Sequence, residues 1–153
     1  MKNLKLTIDL LPKSAWGTNF SKTLPKKDWD MLRTVVYEQA GNKCACCGKD
    51  GKLEAHEIWD FNIPTKTQTL ESIVALCPAC HGVKHYRNSQ RIGYGKHAKA
   101  HFLKVNRCNL NCFIQHYFHA ELLFEKRNKV EKWLIKAPLL DKLGINYKQK
   151  EVL

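Results

Sequence analysis

The sequence predicts one small α+β domain in which two cysteine knuckles bracket a pair of strands and open onto a histidine-bearing helix. Three observations predict it. Cys44 and Cys47 form one Cys-x-x-Cys pair, and Cys77 and Cys80 form a second. This is the spacing by which two tight knuckles present four sulfurs to one tetrahedral zinc ion, at about 2.3 Å each. Between the pairs, residues 53–59 and 73–76 read as the two strands of a hairpin. Pro78 then opens a helix on which His81 and His85, four residues apart, share a face and can turn together toward a second ion.

The other elements follow in chain order. Leu4, Leu6, Ile8 and Leu10 alternate with Lys5, Thr7 and Asp9, the pattern of a strand with one buried face. Pro12 ends it, and residues 14–21 read as a loop anchored by Trp16 and Phe20. Pro25 suits the first turn of a helix. Trp29, Leu32, Val36 and Gln39 recur at helical spacing, and Gly41-Asn42 stops the helix just before the first knuckle. After the first hairpin strand comes an irregular loop with Asn62, Pro64 and several threonines. Residues 91–95, with two glycines, break the histidine helix. Residues 96–105 and 110–132 form two further helices, and Trp133, Leu134, Leu139 and Leu140 around Pro138 pack a tail onto the body. The organisation is a single domain over 1–153: an N-terminal strand and helix in 1–43, the metal core in 44–90, and a helical C-terminal extension in 91–153.

Charge points to the partner. The chain carries 26 Lys and Arg against 14 Asp and Glu, a net +12, and nucleic acid is the commonest polyanion to meet such a surface. Residues 72–120 contain no Asp or Glu but seven cations, Lys84, Arg87, Arg91, Lys96, Lys99, Lys104 and Arg107. A phosphate-facing surface beside a metal site needs that arrangement, because carboxylates would repel the backbone. Lys84, Arg87, Arg91, Lys96 and Lys99 are the candidate DNA contacts. Met1-Lys2-Asn3 leads into alternation rather than an apolar run, and no stretch approaches the length of a membrane span. The expectation is a cytoplasmic protein with reduced thiols and no membrane partner. Cys46, Cys108 and Cys112 fall outside the two Cys-x-x-Cys pairs and read as small core residues. His97, His101, His116 and His119 have no knuckle beside them and read as surface or hydrogen-bonded histidines.

Knuckle, strand, loop, strand, knuckle and helix is the layout of the ββα-metal fold. Cys44-x-x-Cys47-Gly48, Leu53-Glu54-Ala55-His56-Glu57 and Leu76-Cys77-Pro78-Ala79-Cys80-His81-x-x-Lys84-His85 resemble the HNH endonuclease family. The flanks 7–12 and 100–106 look like those of a small bacterial and phage subgroup. The resemblance implies a structural zinc on Cys44, Cys47, Cys77 and Cys80, and a catalytic divalent cation (Mg²⁺, Mn²⁺, Ni²⁺ or Zn²⁺) on His81, with His85 as a second ligand. Counting from Cys47 places His56 on a ligand position and Glu57 on that of the general base, where the family usually has histidine. The other register makes His56 the base and Glu54 a ligand. Residues two apart on a strand share a face, so Glu54 and His56 converge, whereas His56 and Glu57 would need a twist or bulge. A second departure is Ser72, which stands where the family asparagine usually falls.

The function these features imply is metal-dependent hydrolysis of phosphodiester bonds in DNA, double-stranded and with little sequence specificity. One centre would nick one strand, and a double-strand break would need two, as in a homodimer. The alternative is a catalytically inactive, zinc-stabilised nucleic-acid-binding protein of the same fold.

Overall fold

A long antiparallel hairpin is the frame of the molecule. In the computed structural model, which describes residues 3–148, β1 (Glu54–Asn62) pairs with β2 (Thr67–Leu76), Glu54 opposite Leu76 and Asn62 opposite Thr67. The irregular loop expected after residue 59 is therefore mostly strand. Its polar threonines, β-branched and so at home on a pleated surface, occupy β2. Only residues 63–66 turn, with Lys66 at φ 53°. Asn62 ties this turn by accepting the Thr65 amide at 3.1 Å. A register shift between Ile58 and Trp59 marks a bulge one residue beyond Glu57.

The sheet has a third strand that the sequence does not announce. β3 (Leu134–Lys136) lies parallel to β2, giving the order β1-β2-β3 and leaving β1 at an edge. Leu134, expected to pack inward, is 61% exposed, while its neighbour Trp133 is buried.

Helices cover both faces. On one lie α1 (Phe20–Thr23) and α2 (Lys26–Gln39), whose Phe20 and Leu32, with Leu24 between the two helices, form a core with Leu70, Ile73 and Leu140, the last from α7 (Pro138–Lys142). On the other lie α3 (Pro78–Lys84), α4 (Tyr86–Arg91), α5 (Gly95–Asn106) and α6 (Leu110–Arg127). Their Val83, Tyr86, Phe102 and Phe113 join Leu76, Cys77 and Cys80 in a second core. α6 is shorter than expected, because Asn128 caps it and Val130 turns inward. Among the described residues no helix is long and apolar enough to cross a membrane.

Two other expectations change. The alternation at 4–10 does report burial, since Leu6, Ile8 and Leu10 are at most 7% exposed. Yet this segment joins no sheet. Its backbone is held by other groups: Leu6 exchanges two bonds with the Asn106 carboxamide (3.0 and 2.8 Å), Ile8 N–H donates to His116 Nε2 (2.8 Å), and Asp9 N–H donates to Lys84 O (3.0 Å). A period of two identifies an extended chain with one buried face, and is silent about what takes its hydrogen bonds. Trp16, expected as an anchor, is 60% exposed, with its indole N–H on Leu11 O.

Candidate metal centres and the cleft beside them

The two Cys-x-x-Cys pairs meet. One Sγ from each of Cys44, Cys47, Cys77 and Cys80 lies within 4.8 Å of the others. The first knuckle is shaped by Gly48 at φ 77°, whose amide bonds Cys44 O (2.9 Å), and by Cys44 N–H on Lys49 O (3.0 Å). A Cβ at Gly48 would be strained by that φ alone. In the second knuckle Cys77 caps α3, Pro78 occupies its first turn, and the Cys80 amide donates to Cys77 Sγ at 3.5 Å. Cys47 Sγ and Cys77 Sγ are 3.7 Å apart, which matches the edge of about 3.8 Å of a tetrahedron with 2.3 Å arms.

The electrostatics of these sulfurs also call for a cation. Burial opposes ionisation of Cys44, but the amides of Cys47, Cys77 and Cys46 bring it down to about 7. The Cys80 thiol is pushed far up, by its hydrogen bond with Cys46, by burial, and by the charges on Cys44 and Cys77. Four thiolates this close repel one another unless a positive ion sits among them. His101 Nε2 lies 3.1 Å from Cys80 Sγ. This histidine reads as unremarkable in sequence, and its placement against a ligand sulfur depends on α5 packing over α3.

The histidines form a second group. One nitrogen from each of His56, His81 and His85 lies within 4.8 Å of the others, with ring centroids 4.7–5.2 Å apart. His85 is not a helical residue as expected. α3 stops at Lys84, and His85 (φ −97°, ψ 51°) caps it while its amide still bonds His81 O at 3.1 Å. The two therefore stay one turn apart, and His56 reaches them from β1. Burial and the neighbouring His56 and His81 lower His85 to about 4. Burial and His56 also lower His81, against the opposing pull of Glu54. Both are thus neutral at physiological pH, the state in which imidazole is a ligand. Three imidazoles suit Zn²⁺ or Ni²⁺ better than Mg²⁺, so the donor set fits a transition-type divalent cation.

Two carboxylates orient this group. Glu54 Oε1 lies 3.4 Å from His81 Nδ1. Asp9 Oδ2 lies 3.2 Å from His56 Nε2 and 3.3 Å from Lys84 Nζ, while Thr7 Oγ1 donates to Asp9 Oδ1 (3.0 Å) and accepts from Lys84 Nζ (2.8 Å). Burial would raise the Asp9 carboxyl, but the His56 hydrogen bond and the Lys84 charge outweigh it and hold it at about 2. Asp9 is the residue the sequence most plainly hides, because it sits on the polar side of an alternating segment 47 positions from His56.

Glu57 does not join the histidines. Neighbours on a strand face opposite ways, and the bulge comes after it. Its carboxylate accepts from Phe20 N–H (2.7 Å), Ser21 N–H (3.2 Å) and the Trp59 indole (3.0 Å), which ties β1 to the start of α1. Burial raises its pKa against these three bonds. The histidines and Glu57 do border one cleft of about 560 Å³, between the edge strand β1 and residues 9–22, with Trp16 and Arg87 also on its walls.

The candidate DNA contacts divide. Lys84 is turned inward, with its side chain 8% exposed, because Asp9 and Thr7 take its ammonium; it is not a surface phosphate contact. Arg87 lines the cleft, yet it is paired with Glu121 and lies 4.0 Å over the Phe124 ring. Arg91 and Lys96 are exposed and Lys99 half-exposed, on α4 and α5.

No family model, no curated protein and no solved structure matches this chain.

Proposed function

We propose that this protein is a metal-dependent nuclease of the HNH type, acting on DNA at the cleft beside His56, His81 and His85. The single observation that carries the reading is the convergence of these three imidazoles next to a four-cysteine site, at the mouth of a cleft in a chain of net +12. Cys44, Cys47, Cys77 and Cys80 would hold a structural zinc, and His56, His81 and His85 the second cation. A divalent cation bound there supplies Lewis acidity to a phosphodiester and acidifies water. Asp9 and Glu54 fix the rings of His56 and His81, as carboxylates behind ligand imidazoles do. Arg87, Arg91, Lys96 and Lys99 would hold the phosphate backbone. Glu57, on the same cleft with a carboxyl raised by burial, is the proposed proton acceptor.

The test is plasmid nicking in Mg²⁺, Mn²⁺, Ni²⁺, Zn²⁺ or EDTA, with metal affinity measured in parallel. His81→Ala and His56→Ala should both lose the second cation and the nicking. Glu57→Gln should keep the cation and lose about 10²-fold in rate. If Glu57→Gln lowers stability but not rate, Glu57 is only the tie between β1 and α1. DNA binding without cleavage is the second reading. What favours it is that Glu57 already takes three N–H donors, and wild-type protein that binds DNA in a salt-dependent way yet nicks nothing with any metal would establish it.

A further inference from the structure

α6 carries an apolar ridge that nothing among the described residues covers. Leu110 (49% exposed), Ile114 (52%), Phe118 (65%) and Leu122 (42%) recur every fourth residue, while Phe113, Ala120 and Phe124 on the opposite side are buried. Successive i+4 steps drift around a helix, so these four side chains form a slanted row across the exposed face and not a strip parallel to the axis. Such rows interdigitate with one another at a crossing angle of about −50°, the commonest way two helices pack in globular proteins. A ridge of this kind is self-complementary. Copied across a two-fold axis, it meets itself with Phe118 near the centre.

Charge narrows the choice of occupant. Between Arg107 and Lys126 the chain has no Lys or Arg, although it has 26 elsewhere. Two copies each at net +12 repel over most of their surfaces, and this helix is where they can approach without opposing cations. The same lack of cations makes the face a poor one for DNA or an anionic lipid surface. Asn111, Gln115 and His119 border one side of the ridge, and on its other side lie Glu121, which is paired with Arg87, and the exposed Glu125. The four apolar side chains expose on the order of 300–400 Å² per copy, within the range of the largest patch on a typical monomer. This is less than the ~800 Å² that a standard interface takes from one partner, so the pairing it supports is a weak one that concentration drives. We infer that α6 is the self-association face of this protein, pairing two copies through Leu110, Ile114, Phe118 and Leu122.

Sedimentation and light scattering of the full, zinc-loaded chain across a concentration series test this without reference to catalysis. The wild type should move from 17.7 kDa toward twice that mass as concentration rises. Phe118→Glu and, separately, Ile114→Lys should hold the mass at the monomer value, with circular dichroism and zinc content unchanged because both positions are exposed. Leu134→Glu, an equally exposed leucine on β3, should leave the dimer intact. A wild type that stays monomeric throughout overturns the inference. So does a dimer that persists in both α6 variants, or one that Leu134→Glu dissolves.

Discussion

Replacing Asp9 by asparagine isolates the charge that organises the end of α3. The carboxylate holds Lys84, whose side chain is 8% exposed, along with His56 and Thr7. Asparagine keeps the shape and loses the charge, which leaves a buried ammonium with only neutral partners. The drop of the Asp9 carboxyl from its ordinary 3.8 to about 2 converts, at about 1.36 kcal/mol per decade, to about 2 kcal/mol of stability. Breaking a fully buried pair costs about 3–5 kcal/mol, and Asp9 keeps 28% exposure, so the expected loss is about 2–3 kcal/mol. The sign in pH follows from a depressed carboxylate. Its contribution is complete above about pH 4 and is lost only as pH falls from there toward 2, so the difference between wild type and Asp9→Asn is at full strength from about pH 5 to 8. Urea unfolding with saturating zinc measures it. Lys84→Met removes the stranded ammonium and should cost about 1–2 kcal/mol less in the Asp9→Asn background than in the wild type. Additivity of the two within about 0.5 kcal/mol, or a difference that shrinks between about pH 8 and pH 5, refutes the reasoning.

Two further predictions concern the metal core and the nucleic acid. Cys77→Ser should abolish binding of about one zinc per chain and unfold the knuckle region, because metal affinity there is folding free energy; the check is elemental analysis with circular dichroism, and a folded, zinc-free wild type would contradict it. Reversing Arg91, Lys96 and Lys99 to glutamate should weaken DNA binding and flatten its dependence on salt, by about one logarithmic slope unit for each phosphate no longer neutralised. Fluorescence anisotropy over a salt series decides it, and an unchanged slope would move the footprint away from α4 and α5.

How much is legible in the sequence depends on whether a feature is local. The four cysteines and the His81–His85 spacing are short-range patterns, and the structure brings each set together. β1 is legible in position, but β2 reads too short because Thr67, Gln68 and Thr69 look like loop by polarity. Two of the three are buried, Gln68 at 2% exposed, in the stretch where β3 pairs alongside β2. The segment 4–10 shows the limit best. Alternation correctly places Leu6, Ile8 and Leu10 inward, and it assigns Thr7 and Asp9 to water. Both instead face Lys84, because the extended chain runs between α3 and the helices after it, where its polar side is covered as well. Only the pairing across 75 positions between Asp9 and Lys84 turns a solvent-facing acid into the anchor of a histidine, and no local pattern encodes that.

The geometry makes the second centre depend on the first. α3 has seven residues, too few to hold a helix by backbone bonds alone. Its start is fixed by the knuckle, since Cys77 is its cap and Cys80 immediately precedes His81. Its end is fixed by Lys84 on Asp9 and by Asp9 N–H on Lys84 O. His81 and His85 are therefore placed by a rigid turn clamped at both ends, and His56 is placed by the strand that the same Asp9 touches. Positioning within about 0.5 Å, which a functional constellation requires, comes from such supporting groups and not from the ligands themselves. Loosening either clamp should then weaken the three-histidine site before the hairpin itself is lost. On the proposed reading, the four cysteines steady the short helix that carries His81 and hands over to His85 at its C-cap.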